Sequence, residues 1–187
     1  VTGPSFAPVW SWDGPPRLAV ERAAVSRNGR SWEQHRFVSG DGLPGVVIVP
    51  ATTDRIAFIR IWRPTVDQIR LELPRGYGEG DVPVEDARRE LLEETGLVAR
   101  TLAPLGSFEV DTGVMPTPIS AFLATLDETP PVSAATDGEA DAVEWVGRTD
   151  LGRLLAAGEI RDAITLAALT LWAASDLSMP RTAPVGD

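Results

Sequence analysis

Residues Arg89-Glu90-Leu91-Leu92-Glu93-Glu94-Thr95-Gly96-Leu97 decide how this chain is read. Glu90, Glu93 and Glu94 stand at i, i+3 and i+4, a spacing that puts three carboxylates on one helix face about a turn apart. Anions crowded in this way repel one another unless a cation sits among them. A hard divalent ion such as Mg²⁺ or Mn²⁺ is suited to that place, because it prefers oxygen ligands. The flanks support a helix over residues 83–95: Pro83 fits a first helical turn, and Gly96 fits the left-handed position that ends one. The cluster implies metal-assisted chemistry on a phosphate-containing substrate.

Working outward, a turn at residues 76–81 precedes the helix, and a short strand at 69–73 runs into Pro74-Arg75-Gly76. Before it come two strands at 45–50 and 55–62. Further upstream, strands at 17–26 and 32–38 form a hairpin across Asn28-Gly29, a residue pair that favours tight hairpin turns. Residues 1–16, rich in Pro and Gly, read as an irregular arm. Downstream, strands are expected at 105–110 and 119–126 around a loop at 111–118, then a polar loop at 129–141 and a strand at 142–146. Helices are expected at 151–157 and 163–174, and the tail after 178 reads as loose. Strands and helices alternate unevenly, which predicts an α/β fold with a mixed sheet between helices. The chain divides into an N-terminal β region (1–44), a main domain (45–178) and a tail (179–187).

Composition narrows the chemistry. The chain has 187 residues, no cysteine and one histidine, His35, so disulfides, thiolate metal sites and multi-histidine sites are all excluded. Seventeen basic residues, all Arg, face twenty-seven acidic ones for a formal charge of −10, which repels nucleic acid and anionic membranes. No apolar run is long enough to span a bilayer. Residues 1–16 lack the basic-then-apolar pattern of a secretory signal. A cytoplasmic protein is the expectation.

Residues 76–97 resemble the Nudix box, the signature of hydrolases that cleave a nucleoside diphosphate linked to another group. Arg89, Glu90, Leu91, Glu93, Glu94, Gly96 and Leu97 match the second half of the box in full. The first half departs: Asp81 stands eight places before Arg89 where the family has Glu, and the loop is one residue short if Gly76 is the box glycine. Arg60-Ile61-Trp62-Arg63-Pro64 and Leu71-Glu72-Leu73-Pro74-Arg75-Gly76 look like the strand pair before the box in ADP-ribose pyrophosphatases. Gly158-Glu159-Ile160-Arg161-Asp162-Ala163 looks like the last helical segment of that branch. The loop Asp111-Thr112-Gly113-Val114-Met115-Pro116-Thr117-Pro118 lacks the acidic residue that follows glycine in the ADP-ribose enzymes. The likeness to Nudix hydrolases in general is therefore fuller than the likeness in substrate.

The resemblance implies a Nudix-type α/β/α sandwich preceded by a small antiparallel β region, often exchanged between the subunits of a homodimer. It implies Mg²⁺, with Mn²⁺ a possible substitute. Glu90 and Glu94 are the expected principal ligands, with Glu93 a third and the Arg75 backbone carbonyl an extra one. Arg89 is expected to orient a carboxylate of the cluster with its fork. The general base is expected in the loop before the last strand, with Glu139 favoured over its neighbours and Glu93 the alternative. Arg60, Arg63 and Glu72 are candidate substrate contacts, and Trp62 or Tyr77 could stack on a base. A bland reading stands beside each: exposed arginines are common, Glu72 could merely pair with an Arg, and the tryptophans could be core or interface aromatics. The substrate expected is a nucleoside diphosphate derivative, ADP-ribose or a related sugar nucleotide first. The competing reading is a non-catalytic Nudix-fold module that senses such a nucleotide.

Overall fold

The computed structural model describes residues 3–80, 82–127 and 140–178. Its centre is the apolar run Gly-Val-Val-Ile-Val, which forms β4 (Gly45–Ala51). Successive side chains of a strand point to opposite faces. Val47 and Val49 accordingly enter one core with Phe58, Leu71, Leu73, Leu169 and Trp172. Val46 and Ile48 enter the other with Ala57, Leu91, Leu97 and Phe122. A strand covered on both faces needs an unbroken apolar run rather than an alternating one, which is what the sequence shows.

Around β4 the sheet is mixed. β5 (Arg55–Arg63), β6 (Gln68–Glu72), β7 (Arg75–Gly76), β8 (Thr101–Asp111), β9 (Met115–Thr125) and β10 (Ala140–Gly147) complete it. The order is β10-β5-β4-β9-β8, with β6 beside β5 and β7 beside β4. β4 and β9 run parallel, from Gly45↔Ile119 to Ala51↔Thr125. Helix α1 (Pro83–Thr95) covers one face, and α2 (Leu151–Ala156) with α3 (Ala163–Ser178) covers the other. This is the mixed α/β sandwich expected from the sequence. The bounds of α1 match its end signals: Pro83 opens it, and Gly96 at φ 67° closes it with its N–H on the Leu92 carbonyl.

The first forty residues build a separate three-stranded antiparallel sheet from β1 (Ala7–Trp12), β2 (Leu18–Arg27) and β3 (Arg30–Ser39). The β2–β3 hairpin turns at Asn28 and Gly29, both at positive φ, as a two-residue hairpin turn requires. The irregular arm expected at 1–16 needs correction, because residues 7–12 pair with β2 from Ala7↔Arg22 to Trp12↔Leu18, with a register shift between Pro8 and Trp10. β8 and β9 also begin earlier than expected. Pro104 is tolerated because β8 is the outer strand and shifts register beside it, between Pro104 and Gly106. Pro116 and Pro118 lie before Ile119, where pairing with β4 begins. β3 reaches the main sheet at the β8–β9 turn, through the Phe37 N–H on the Val114 carbonyl at 2.7 Å and the Gln34 side-chain amide on the Gly113 carbonyl at 2.8 Å. No described helix is long and apolar enough to cross a membrane.

Candidate active site

Helix α1 packs Ala87 and Leu91 into the core and sets its carboxylates along the border of that buried stripe. Glu94 is 3% exposed, and its Oε2 accepts the Arg75 backbone N–H at 2.7 Å. Glu90, one turn earlier, lies against Gly76, and a Cβ at position 76 would overlap its carboxylate. Glycine is required here by close approach, not by an unusual φ. β7 fixes the other side of this contact by pairing Arg75 and Gly76 with Val47 and Val46. The carboxylates of the helix and the Arg75–Gly76 peptide therefore form one edge.

Arg89 lies among the acids. Rather than closing both prongs of its fork on one carboxylate, it spans two: Nη1 donates to Glu93 Oε2 at 2.8 Å, and Nη2 lies 2.9 Å from Glu90 Oε1. Nη2 also donates to the Tyr77 carbonyl at 3.1 Å, which ties the loop before the helix to the helix itself. Asp86, which sequence reasoning did not single out, is buried and accepts the Glu79 N–H at 3.2 Å. Its signal was available: it sits one turn before Glu90 and three residues before Arg89, on the same face. Burial pushes the Glu90 carboxyl above its ordinary range, against the pull of the neighbouring Arg89 charge. Burial works against the Arg89 charge too, but Glu90 and Glu93 hold its guanidinium above its usual value.

The donor set suits a hard divalent cation. It is all oxygen, it includes a buried carboxylate whose negative form is disfavoured as it stands, and a peptide backbone closes it from the opposite side. Among the described residues no three acidic groups converge on one point, and Arg89 lies between Glu90 and Glu93. Binding an ion would require Glu93 to turn from Arg89 toward the edge where Glu90 already lies against Gly76.

The candidate substrate residues separate. Arg60 and Arg63 are three apart on β5 and so fall on opposite faces. Arg60 pairs with Glu144 of β10 at 2.5 Å, and Arg63 turns to Glu72 of β6. Glu72 is 2% exposed, and Arg63 and Arg75 hold it from two sides. Burial pushes its carboxyl up, but the Arg63 hydrogen bonds and the charges of Arg75 and Arg63 outweigh that and hold it below the usual carboxylate range. Trp62 is half-exposed and donates its indole N–H to Asp67. Tyr77 is half-exposed against Gly40. Glu139 and Asp81 lie outside the described residues.

An acid-lined helix under a strand–glycine turn, on a mixed sheet between helices, defines the class of α/β sandwich to which this chain belongs. The particular family follows from comparison. Residues 43–169 match the NUDIX domain model, and the chain belongs to that family. It is 36% identical over 84 residues to the ADP-ribose pyrophosphatase of Bacillus subtilis (strain 168), a match covering 43% of this chain and 45% of the relative. The chain thus spans less than half the length of that curated relative. The crystal structure of an ADP compounds hydrolase superposes with a TM-score of 0.74 at 22% identity, over 97% of this chain and 98% of the other, and shares its fold.

Proposed function

We propose that this chain is a divalent-metal-dependent hydrolase that cleaves the diphosphate linkage of a nucleoside diphosphate derivative, with ADP-ribose or a related sugar nucleotide the preferred class. The observation that carries this reading is the edge where Glu90 and Glu94 meet the Arg75–Gly76 peptide beside Glu93. Mg²⁺, or Mn²⁺ in its place, would be held by Glu90, Glu94 and Glu93 with the Arg75 carbonyl. When bound, such ions neutralise the diphosphate and polarise the bond to be cut. Arg89 keeps Glu90 oriented and the Tyr77 loop in place. A carboxylate takes the proton from the attacking water, with Glu139 the first choice and Glu93 the second. Arg63 flanks the site through Glu72, while Arg60, on the other face of β5 and paired with Glu144, would reach a substrate only at the rim of the sheet. The curated relative's activity on ADP-ribose supports the substrate class.

A homodimer belongs to the same reading. Among the strand residues of β1–β3 only Ala23 is buried, while Val9, Trp10, Trp12 and Trp32 are about half-exposed. A sheet so thinly covered gains stability from a second copy laid across it. The cytoplasm suits an acidic chain without cysteine.

Glu94→Gln tests the metal assignment. It should lower Mg²⁺-dependent release of phosphate-containing products from ADP-ribose by about 10² or more, with the circular-dichroism melt preserved. Activity within a few-fold of wild type would refute the assignment. Tight nucleotide binding without turnover in the wild-type protein would favour the sensing module instead.

A further inference from the structure

Beside the carboxylate edge lies a second charged cluster. Glu72 Oε2 receives Arg63 Nη2 at 2.7 Å and Arg75 Nη2 at 2.9 Å. Arg75 Nη2 also reaches Asp162 Oδ1 at 3.3 Å. The other oxygen of Asp162 caps α3, accepting the Thr165 backbone N–H at 2.8 Å and its hydroxyl at 2.9 Å. The Thr165 hydroxyl oxygen then accepts the Leu73 N–H at 3.1 Å. Asp162, the residue before α3, is thus linked through one guanidinium to Arg75, the residue whose own N–H holds Glu94.

An ion cluster is a poor way to stabilise a fold. The cost of desolvating the charges offsets most of the attraction, and apolar residues of similar volume often serve as well. The fastening of α3 to the residue that follows β6 is met by Thr165 and Leu73. What the charges add is direction: a guanidinium shared by two carboxylates has a restricted orientation, which adds to the β4 pairing that holds the Arg75 peptide.

We propose that Glu72 and Asp162 are positioning residues: by clamping the Arg75 side chain from two sides they fix the Arg75 peptide that grips Glu94, and so couple the start of α3 to the metal-holding edge of α1. This rests on the hydrolase reading above, and the test separates the two. Mn²⁺ binding to the full-length protein is measured by the loss of the free-ion EPR signal on titration, without substrate.

Supporting groups of this kind typically change metal affinity by 10- to 100-fold. Glu72→Gln and Asp162→Asn should each weaken Mn²⁺ binding by roughly tenfold. Asn also caps helices well, so Asp162→Asn should keep the thermal melt close to wild type. Arg75→Lys, which keeps the charge but loses the fork, should weaken binding similarly. Leu154→Ala, the buried core residue of α2, should lower the melt and leave the Mn²⁺ constant unchanged. If Asp162→Asn and Arg75→Lys bind Mn²⁺ within twofold of wild type while Glu94→Gln does not bind it, the clamp is only structural: the proposal falls and the hydrolase reading stands. If the wild-type protein itself binds no Mn²⁺, both fall.

Discussion

The two sheets of this molecule are made to different standards. In the seven-stranded sheet, β4 is buried from Val46 to Ala51 and packed from both faces. In the three-stranded sheet, every residue of β1 is exposed, three aromatic or branched side chains among them. Both sheets are paired along their strands and both carry register shifts, so pairing does not set them apart. What differs is apolar burial, the main favourable term in folding. The central sheet carries its own stability; the N-terminal one depends on what it leans on, namely the β8–β9 turn and, on our reading, a second copy of the chain.

The comparison can be broken most sharply by truncation. Phe58→Ala, at a fully buried position, should cost about 3–5 kcal/mol in urea unfolding. Trp12→Ala should cost within about 0.5 kcal/mol under conditions that hold the protein monomeric. Comparable losses would show that the small sheet is no less self-supporting than the large one. Hydrogen exchange gives the next largest contrast. Amides of β4 should exchange only through global unfolding, whereas those of β1 should exchange by local opening, about a hundredfold faster or more. Equal protection at high and low protein concentration would remove the argument for a covering partner.

Replacing Trp10 and Trp12 together by Ser addresses that partner. Sedimentation should then show dissociation at several-fold higher concentration than for the wild type, with the central sheet's melt unchanged. No shift in association would place the interface elsewhere.

Acid is expected to have the smallest effect, and at Glu72 and Glu90 it has two signs. Glu72 is held below the usual range. Its contribution is therefore complete above the ordinary carboxylate value, about 4.3, and is lost as pH falls through its own lower value. Glu90 is raised. Its contribution is favourable below the ordinary value and is lost as pH rises through its higher one. At pH 7, Glu72→Gln should melt lower than wild type and Glu90→Gln no lower. The reverse order would contradict the burial assigned to Glu90.

The central region was legible because its signals are local. Pro83 and Gly96 bound α1, and an unbroken Val/Ile run marks a strand buried on both sides. The acidic face of α1 was equally plain, since its spacing is set by the helix alone. β1 was hidden because Pro8 and the Pro-rich stretch after Trp12 read as breakers, and its pairing depends on β2 rather than on its own residues. The starts of β8 and β9 were lost to prolines that the sheet accommodates at places a linear sequence cannot show. The link from Asp162 to Arg75 joins residues far apart in the chain. Nothing near either residue announces the other, although Asp162 three places before Thr165 has the look of a helix cap.

Gly76 and Gly80 lie four residues apart in the same turn, yet they answer to different constraints. At 80 nothing stands within 4 Å of where a side chain would begin, while at 76 the space is already taken by Glu90. In a library randomised at both positions and sorted for folded, active protein, position 80 would return a broad alphabet. Position 76 would return a single letter, because any larger residue would push the helix acid off the place where it must stand.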